Sequence, residues 1–204
     1  MTAMNGIKTI GITGGIGSGK SYVSAILQEK FGIPVYDCDK EAKRLTATNK
    51  EIRQQLISFV GPEVFEGDKL NKALLADYLF SDPEHASQVN AIIHPAVLKD
   101  FVEWTGKQKE KKIVALESAI LFESGFNAFV DKVLFVDAPE DVRLKRAMLR
   151  DGVQEEQIRA RMKMQQPELH RLQADFAIDN SSNDDTRLLV QLTKIIHKLG
   201  IRIL

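Results

Sequence analysis

The sequence of 204 residues predicts an α/β fold with three layers, in which helices cover both faces of a five-stranded parallel sheet. Short apolar runs typical of buried strands alternate with segments whose apolar residues recur at helical spacing. A glycine-rich segment joins the first strand to the first helix, at the edge where open parallel sheets bind ligands. The predicted strands are 7–12, 33–36, 112–116, 132–136 and 174–180.

The glycine-rich segment, 14–21, has the spacing of a phosphate-binding loop: Gly, four residues, Gly, Lys, and Ser or Thr. Glycines let the backbone turn tightly, so that successive N–H groups surround phosphate oxygens. Lys20 can reach the β- and γ-phosphates of ATP, and the Ser21 hydroxyl can bind Mg²⁺. The strand before the loop and the helix after it argue against an ordinary glycine turn. The expected nucleotide-binding residues are Gly15, Ile16, Gly17, Ser18, Gly19, Lys20 and Ser21.

Two aspartates, Asp37 and Asp39, follow the second strand directly. Because the carboxyl ends of parallel strands meet at one edge of a sheet, we expect both side chains beside the bound phosphates. A carboxylate there can accept the proton of an attacking hydroxyl group or help to hold Mg²⁺. The alternative role is structural, because Asp is a favoured N-cap and Asp39 precedes a helical segment.

Strand signals stop after the second strand and helical signals replace them, which predicts a helical insertion at about 49–111. Its expected task is to bind the acceptor substrate. The remaining core would comprise about 1–48, 112–140 and 173–204, with a lid at about 141–172. Within the insertion, His94 precedes Pro95, so it marks a kink, a helix start or a substrate contact.

Charged residues near the later strands extend the predicted site. Glu117 ends the third strand, where phosphate-loop enzymes place an acidic residue that orients the metal; the alternative is an exposed carboxylate. Arg143, Arg146 and Arg150 share one face of the next helix. Arginines on a mobile lid stabilise the charge that phosphoryl transfer spreads over oxygen atoms, although a solvated basic face would have the same spacing. We take Arg146 and Arg150 as catalytic candidates.

The composition limits the choice of partners. With 28 basic and 28 acidic residues the net charge is zero, which disfavours binding to nucleic acid or to a membrane surface. The single cysteine, Cys38, suits a reducing compartment. Residues 1–8 are too polar for a signal peptide, and no apolar run in the sequence is long enough to span a bilayer. We therefore expect a cytoplasmic protein, a monomer by default, that acts on small molecules.

Two other function classes use a phosphate loop. A GTPase switch needs Asn-Lys-x-Asp for guanine, and neither Asn49-Lys50 nor Asn71-Lys72 is followed by Asp at the required position. Another small-molecule or nucleoside monophosphate kinase would share the loop and the lid, and the spacing of the motifs alone does not separate that class.

The motifs together resemble the dephospho-coenzyme A kinase family over nearly the whole chain. In order they are 13–21, Asp37-Cys38-Asp39, His94-Pro95, Leu121-Phe122-Glu123, Arg146 with Arg150-Asp151-Gly152, and Ala174-Asp175 followed by Ile178-Asp179-Asn180. Many members have Asp and Pro where this chain has Glu117 and Ala119. The carboxylate at position 117 is therefore one methylene further from the backbone here.

The resemblance implies a phosphate-loop kinase fold and transfer of the ATP γ-phosphate to the ribose 3′-hydroxyl of dephospho-coenzyme A, which completes coenzyme A. It implies that Asp39 is the catalytic base, assisted by Lys20 and by the lid arginines Arg146 and Arg150. It also implies acceptor contacts at Asp37, Asp39, His94 and Glu123, an adenine contact at Asn180, and Mg²⁺ ligation by Ser21 and Glu117.

Overall fold

The computed structural model of the chain describes residues 6–67, 69–182 and 184–200, so the predicted core extends at both ends beyond the described part. Its strands are β1 (Lys8–Thr13), β2 (Val35–Asp37), β3 (Phe65–Glu66), β4 (Lys69–Leu70), β5 (Ile113–Glu117), β6 (Lys132–Asp137) and β7 (Phe176–Asp179). Its α-helices are α1 (Lys20–Phe31), α2 (Cys38–Thr48), α3 (Lys50–Val60), α4 (Lys72–Ser81), α5 (Pro83–Lys107), α6 (Glu140–Asp151), α7 (Glu155–Lys163), α8 (Pro167–Gln173) and α9 (Asp185–Lys198).

The predicted parallel sheet of five strands is confirmed, in the order β2-β5-β1-β6-β7. β1 lies at the centre and pairs in parallel with β5 and β6, and β6 pairs in parallel with β7. Parallel sheets are normally covered on both faces, which explains why β5 is buried along its whole length and β1 after its first residue.

The register of the sheet determines which side chains reach the ligand edge. Ile12 of β1 pairs with Glu117 of β5, and Thr13 pairs with Phe135 of β6. At the end of β6, Asp137 pairs with Asp179 of β7. Acidic residues therefore end β5, β6 and β7 at the edge where the glycine loop leaves β1.

Helices α1 and α9 cover the sheet with apolar side chains at helical spacing. The shared core combines strand residues such as Ile12, Leu134 and Ile178 with Val23 of α1 and Leu192 of α9. α9 begins where the Asp184 side chain accepts hydrogen bonds from the N–H groups of Thr186 and Arg187. This packing fixes β1 and α1, the two elements that the glycine loop joins.

The chain divides into two compact units, Met1–Tyr36 with Gln108–Leu204, and Asp37–Lys107. The second unit contains α2 to α5 and the antiparallel pair β3–β4, and α2 packs against α3 and α5. The second unit begins at Asp37, whereas the predicted insertion begins at 49. The difference is helix α2, which the sequence analysis assigned to the core. No helix within the described residues is long and apolar enough to cross a bilayer.

Phe101 of α5, in the second unit, is fully buried. We predict that Phe101→Ala lowers the free energy of unfolding by about 3–5 kcal/mol, because the substitution removes buried apolar surface and leaves a cavity. Phe80 in the same unit is 89% exposed, so Phe80→Ala is the matched control and should change stability by less than about 0.5 kcal/mol. Urea denaturation measures both values. Equal effects of the two substitutions would contradict this account of the core.

Candidate active site

The loop between β1 and α1 requires glycine at specific places. Gly17 and Gly19 have left-handed backbones, with φ of 76° and 92°. A Cβ atom on Gly17 would overlap the main-chain oxygen of Arg143, and one on Gly19 would overlap the side-chain amide of Asn180. These glycines are therefore needed both for the turn and for the close approach of α6 and of the segment after β7.

Lys20 is the first residue of α1, and its side chain folds over the loop. Its Nζ donates hydrogen bonds to the main-chain oxygens of Gly14 (3.0 Å) and Gly15 (3.3 Å). The ammonium group is thus held beside the loop's backbone, where the phosphates of a nucleotide would meet it.

Ser21 and Glu117, both predicted at the metal, lie in contact. The Ser21 hydroxyl donates a hydrogen bond of 2.7 Å to Oε1 of Glu117. Glu117 is buried, with 8% of its surface exposed. Among the described residues no group of three or more His, Cys, Asp or Glu could hold a metal ion. A hydroxyl and one carboxylate nevertheless suit Mg²⁺, which usually keeps several waters and takes substrate phosphate oxygens as further ligands.

Asn180 is buried and braces the loop from the end of β7. Its Nδ2 donates to the main-chain oxygen of Ser18 at 2.8 Å, and its main-chain N–H donates to Asp137. Its main-chain oxygen accepts a hydrogen bond of 2.7 Å from Nη1 of Arg146. The structure therefore connects Asn180 and Arg146 to each other and to the loop, while the adenine contact of Asn180 stays a prediction.

The predicted lid corresponds to α6, α7 and α8. Arg150 is exposed at the end of α6, and its guanidinium donates to both carboxylate oxygens of Asp151, at 2.6 and 3.1 Å. Arg161 of α7 donates to the same carboxylate at 2.9 Å. The hydrogen bond from Arg150, followed by the one from Arg161, lowers the pKa of Asp151 to about 2. At neutral pH an ionised Asp151 therefore holds both arginines.

Two residues near the loop were not selected from the sequence. Arg143 lies so close to Gly15 that a Cβ atom there would overlap its guanidinium, and its Nε donates to Ala138. Oε1 of Gln165 accepts a hydrogen bond of 2.8 Å from the N–H of Ile16. Arg143 shares a helix face with Arg146 and Arg150, a signal that could have identified it, whereas nothing local to Gln165 distinguishes it from other polar residues.

Glu123, a predicted acceptor contact, lies in the turn after β5. Its Oε1 is 3.7 Å from Nε2 of His170, a residue of α8. His170 is buried and stacks on Phe122, with ring centroids 4.9 Å apart. The segment Leu121–Glu123 therefore contacts the lid, and this histidine was also missed by sequence reasoning.

The remaining predicted residues belong to the second unit. The Asp37 carboxylate accepts a hydrogen bond from the Lys40 N–H and caps α2, whereas Asp39 is exposed in the first turn of that helix. The capping role considered for Asp39 therefore belongs to Asp37. His94 lies inside α5 beside Pro95, and burial lowers its pKa, so its imidazole is neutral at pH 7.

A cavity of about 950 Å³ opens beside Gly15 in the first unit, between the end of β6 and the lid. Its size is that of a small-molecule site. Its wall includes basic side chains from three lid helices, Arg143, Arg159, Lys163 and Arg171. Arg171 pairs with Asp137 at 2.8 Å and Arg159 with Glu140 at 3.0 Å, so two of these four positive charges are balanced by neighbouring carboxylates.

The family model of dephospho-CoA kinase matches residues 8–185 of the chain. The chain belongs to the dephospho-CoA kinase family. A dephospho-CoA kinase of Bacteroides fragilis is 47% identical over 188 residues, which cover 92% of this chain and 90% of the relative. Membership of this family makes the chain a kinase and implies ATP as a substrate.

Solved structures show the same fold. A crystal structure of a Thermus thermophilus protein superposes with a TM-score of 0.84 at 34% identity, covering 96% of this chain and 99% of that one. A shikimate kinase from Bacteroides thetaiotaomicron superposes with a TM-score of 0.56 at 14% identity, covering 95% and 99%. The predicted phosphate-loop kinase fold is therefore confirmed.

The geometry of the loop predicts that Gly17→Ala lowers kcat/KM for ATP by about tenfold or more, because the new Cβ atom strains a left-handed backbone and overlaps Arg143. Gly67 also has a positive φ, of 59°, but has open space around it, so Gly67→Ala controls for backbone strain alone. Initial rates at varied ATP concentration measure the effect. A normal kcat/KM in Gly17→Ala would mean that the loop does not need its contact with α6.

Proposed function

We propose that the chain transfers the γ-phosphate of ATP to the ribose 3′-hydroxyl of dephospho-coenzyme A, the final step of coenzyme A biosynthesis. The observation that carries the proposal is its membership of the dephospho-CoA kinase family. The loop supports it, since Lys20 and Ser21 stand where phosphoryl transfer requires a cation and a metal ligand.

In this reaction the 3′-hydroxyl oxygen bonds to the γ-phosphorus while the bond from that phosphorus to the β,γ-bridging oxygen breaks, and ADP leaves. The hydroxyl proton passes to a base, which we assign to Asp39. Support comes from the family resemblance and from the exposure of this carboxylate, since the cap of α2 is provided by Asp37. Lys20 and the loop N–H groups bind the phosphates during the transfer.

We assign Ser21 and Glu117 as the protein ligands of Mg²⁺. Their 2.7 Å contact joins the two oxygen types that this ion prefers, and the longer side chain of glutamate still reaches the hydroxyl. When bound, the ion neutralises negative charge on the β- and γ-phosphate oxygens.

The lid arginines would neutralise the charge of the transferred group. Arg150 is exposed and held by Asp151, and Arg146 is held by Asn180 beside the loop. Asp37, His94 and Glu123 are our proposed acceptor contacts. Burial lowers the pKa of His94 and favours its neutral form, which can donate or accept a hydrogen bond to the acceptor.

The decisive experiment is an acceptor screen with Mg-ATP, in which ADP release is measured and each product is checked by mass for one added phosphate. The acceptors are dephospho-coenzyme A, shikimate, nucleosides and nucleoside monophosphates. Turnover with dephospho-coenzyme A alone is the expected result. Turnover with another acceptor instead would retain the kinase and overturn the proposed substrate.

We predict that Asp39→Asn lowers kcat with dephospho-coenzyme A by about two to four powers of ten, since an amide cannot accept the hydroxyl proton. Glu41→Gln removes a carboxylate from the same helical turn and is the matched control, with kcat expected to stay near that of the original enzyme. Steady-state kinetics in both substrates measure the effect. A change confined to KM would remove the base role from Asp39.

The metal assignment predicts that Ser21→Ala and Glu117→Gln each raise the Mg²⁺ concentration for half-maximal activity by about tenfold, because the first removes a hydroxyl ligand and the second removes the negative charge of the carboxylate. Glu110 is an exposed carboxylate just before β5, so Glu110→Gln serves as the control. Rates are measured in a Mg²⁺ titration at constant ATP. If all three variants share the original midpoint, Ser21 and Glu117 are not metal ligands.

We also propose that the enzyme works as a cytoplasmic monomer whose partners are its small-molecule substrates. The single cysteine suits a reducing compartment, and the balanced charge disfavours nucleic acid and membrane surfaces as partners. Sedimentation at micromolar concentration tests the oligomeric state.

A further inference from the structure

Gln165 connects the lid to the phosphate loop although the chain separates them by 149 positions. It follows α7, where its own N–H donates to the main-chain oxygen of Met162. Its side-chain oxygen accepts the N–H of Ile16 at 2.8 Å. One donor of the loop is therefore bonded to the lid and is not available to a phosphate.

Ile16 is attached to the lid by its side chain as well. The lid has a small apolar core formed by Leu144, Ala147, Ile158 and Met162, and Ile16 packs against it. The next loop residue, Gly17, lies against the backbone of Arg143. The tip of the loop is thus anchored to α6 and α7 by packing and by the Gln165 hydrogen bond.

The hydrogen bond to Ile16 also determines the orientation of the peptide unit that joins Gly15 to Ile16. A trans peptide is planar, with its N–H and C=O pointing in opposite directions. When the Ile16 N–H faces Gln165, the Gly15 oxygen therefore faces the other way. There it accepts the N–H of Ser18 at 3.1 Å and Nζ of Lys20 at 3.3 Å.

We propose that Gln165 is a positioning residue for phosphoryl transfer. By holding the Ile16 N–H it orients the Gly15 carbonyl, which in turn places Lys20, and it keeps the loop in register with the lid that carries Arg146 and Arg150. This role rests on the proposed kinase function. In this role Gln165 acts on nucleotide binding through the loop.

The test compares two methionine substitutions in the lid. Gln165→Met retains the length of the side chain but has no oxygen to accept the hydrogen bond, and Gln157→Met changes an exposed residue of α7 in the same way. We expect Gln165→Met to raise KM for ATP by about tenfold and to leave KM for dephospho-coenzyme A unchanged, because the part-buried Ile16 N–H loses the partner that fixes the loop. Gln157→Met should leave both KM values unchanged.

Titration calorimetry with Mg-ADP gives a second measurement that needs no acceptor. The ADP dissociation constant of Gln165→Met should rise by about the same tenfold factor. This measurement tests the role of Gln165 even if the acceptor screen rejects dephospho-coenzyme A. Melting temperatures are measured for all variants. If the ADP affinity of Gln165→Met stays within twofold of the original, the proposal is overturned, whatever the melting temperature of the variant. Gln165 would then have only a structural role.

Discussion

The structure depends on one constraint in the phosphate loop, 14–21. The peptide units of this loop must keep the one arrangement that directs their N–H groups at an anion. Such a loop cannot hold itself in place, because its glycines have the greatest freedom of any residue and no side chains of their own. Distant partners therefore restrain it. Asn180 holds the Ser18 carbonyl and Glu117 holds the Ser21 hydroxyl, each from the carboxyl end of a strand. The parallel sheet matters to function because it brings these ends together beside β1.

The distribution of charge follows from the same arrangement. The chain is neutral overall, yet the lid concentrates arginines, and several of these are balanced by a neighbouring carboxylate: Arg150 and Arg161 by Asp151, Arg171 by Asp137, and Arg159 by Glu140 and Glu155. Exposed pairs of this kind contribute only about 0–1 kcal/mol each. An arginine can therefore exchange its carboxylate for a phosphate oxygen at little cost, while the protein without nucleotide avoids an uncompensated positive patch.

The sequence was most informative where the signal is local. The loop motif, the five strands and the helical spacing of α1 and α9 all lie within short windows, and the structure confirms the sheet that they predict. Boundaries were less accurate: the second strand was expected at 33–36, whereas β2 is Val35–Asp37. For α2, spacing gave no indication that it packs with α3 and α5, because packing partners are set by the whole fold.

Individual site residues show the same limit. Asp37 and Asp39 were both predicted at the site, but only the backbone geometry decides which of them caps the helix. The adenine contact of Asn180 stays a prediction, whereas its hydrogen bond to the loop at Ser18 was not foreseen from the sequence. His170 and Gln165 were missed because their partners, Phe122 and Ile16, are far away in the chain. Contacts between residues so far apart in the chain produce no periodic pattern in a single sequence.

The small core shared by α6 and α7 has a consequence for folding. Its buried part consists of four side chains, Leu144, Ala147, Ile158 and Met162, too few to stabilise a structure alone, and Ile16 of the loop packs against them. The lid therefore depends on a loop that must already be formed between β1 and α1. We expect these helices to be among the last parts of the chain to become ordered during refolding and to open while the sheet stays intact. Resistance to local unfolding would then differ along the chain. It would be greatest in the sheet and smallest in the segment that carries the arginines.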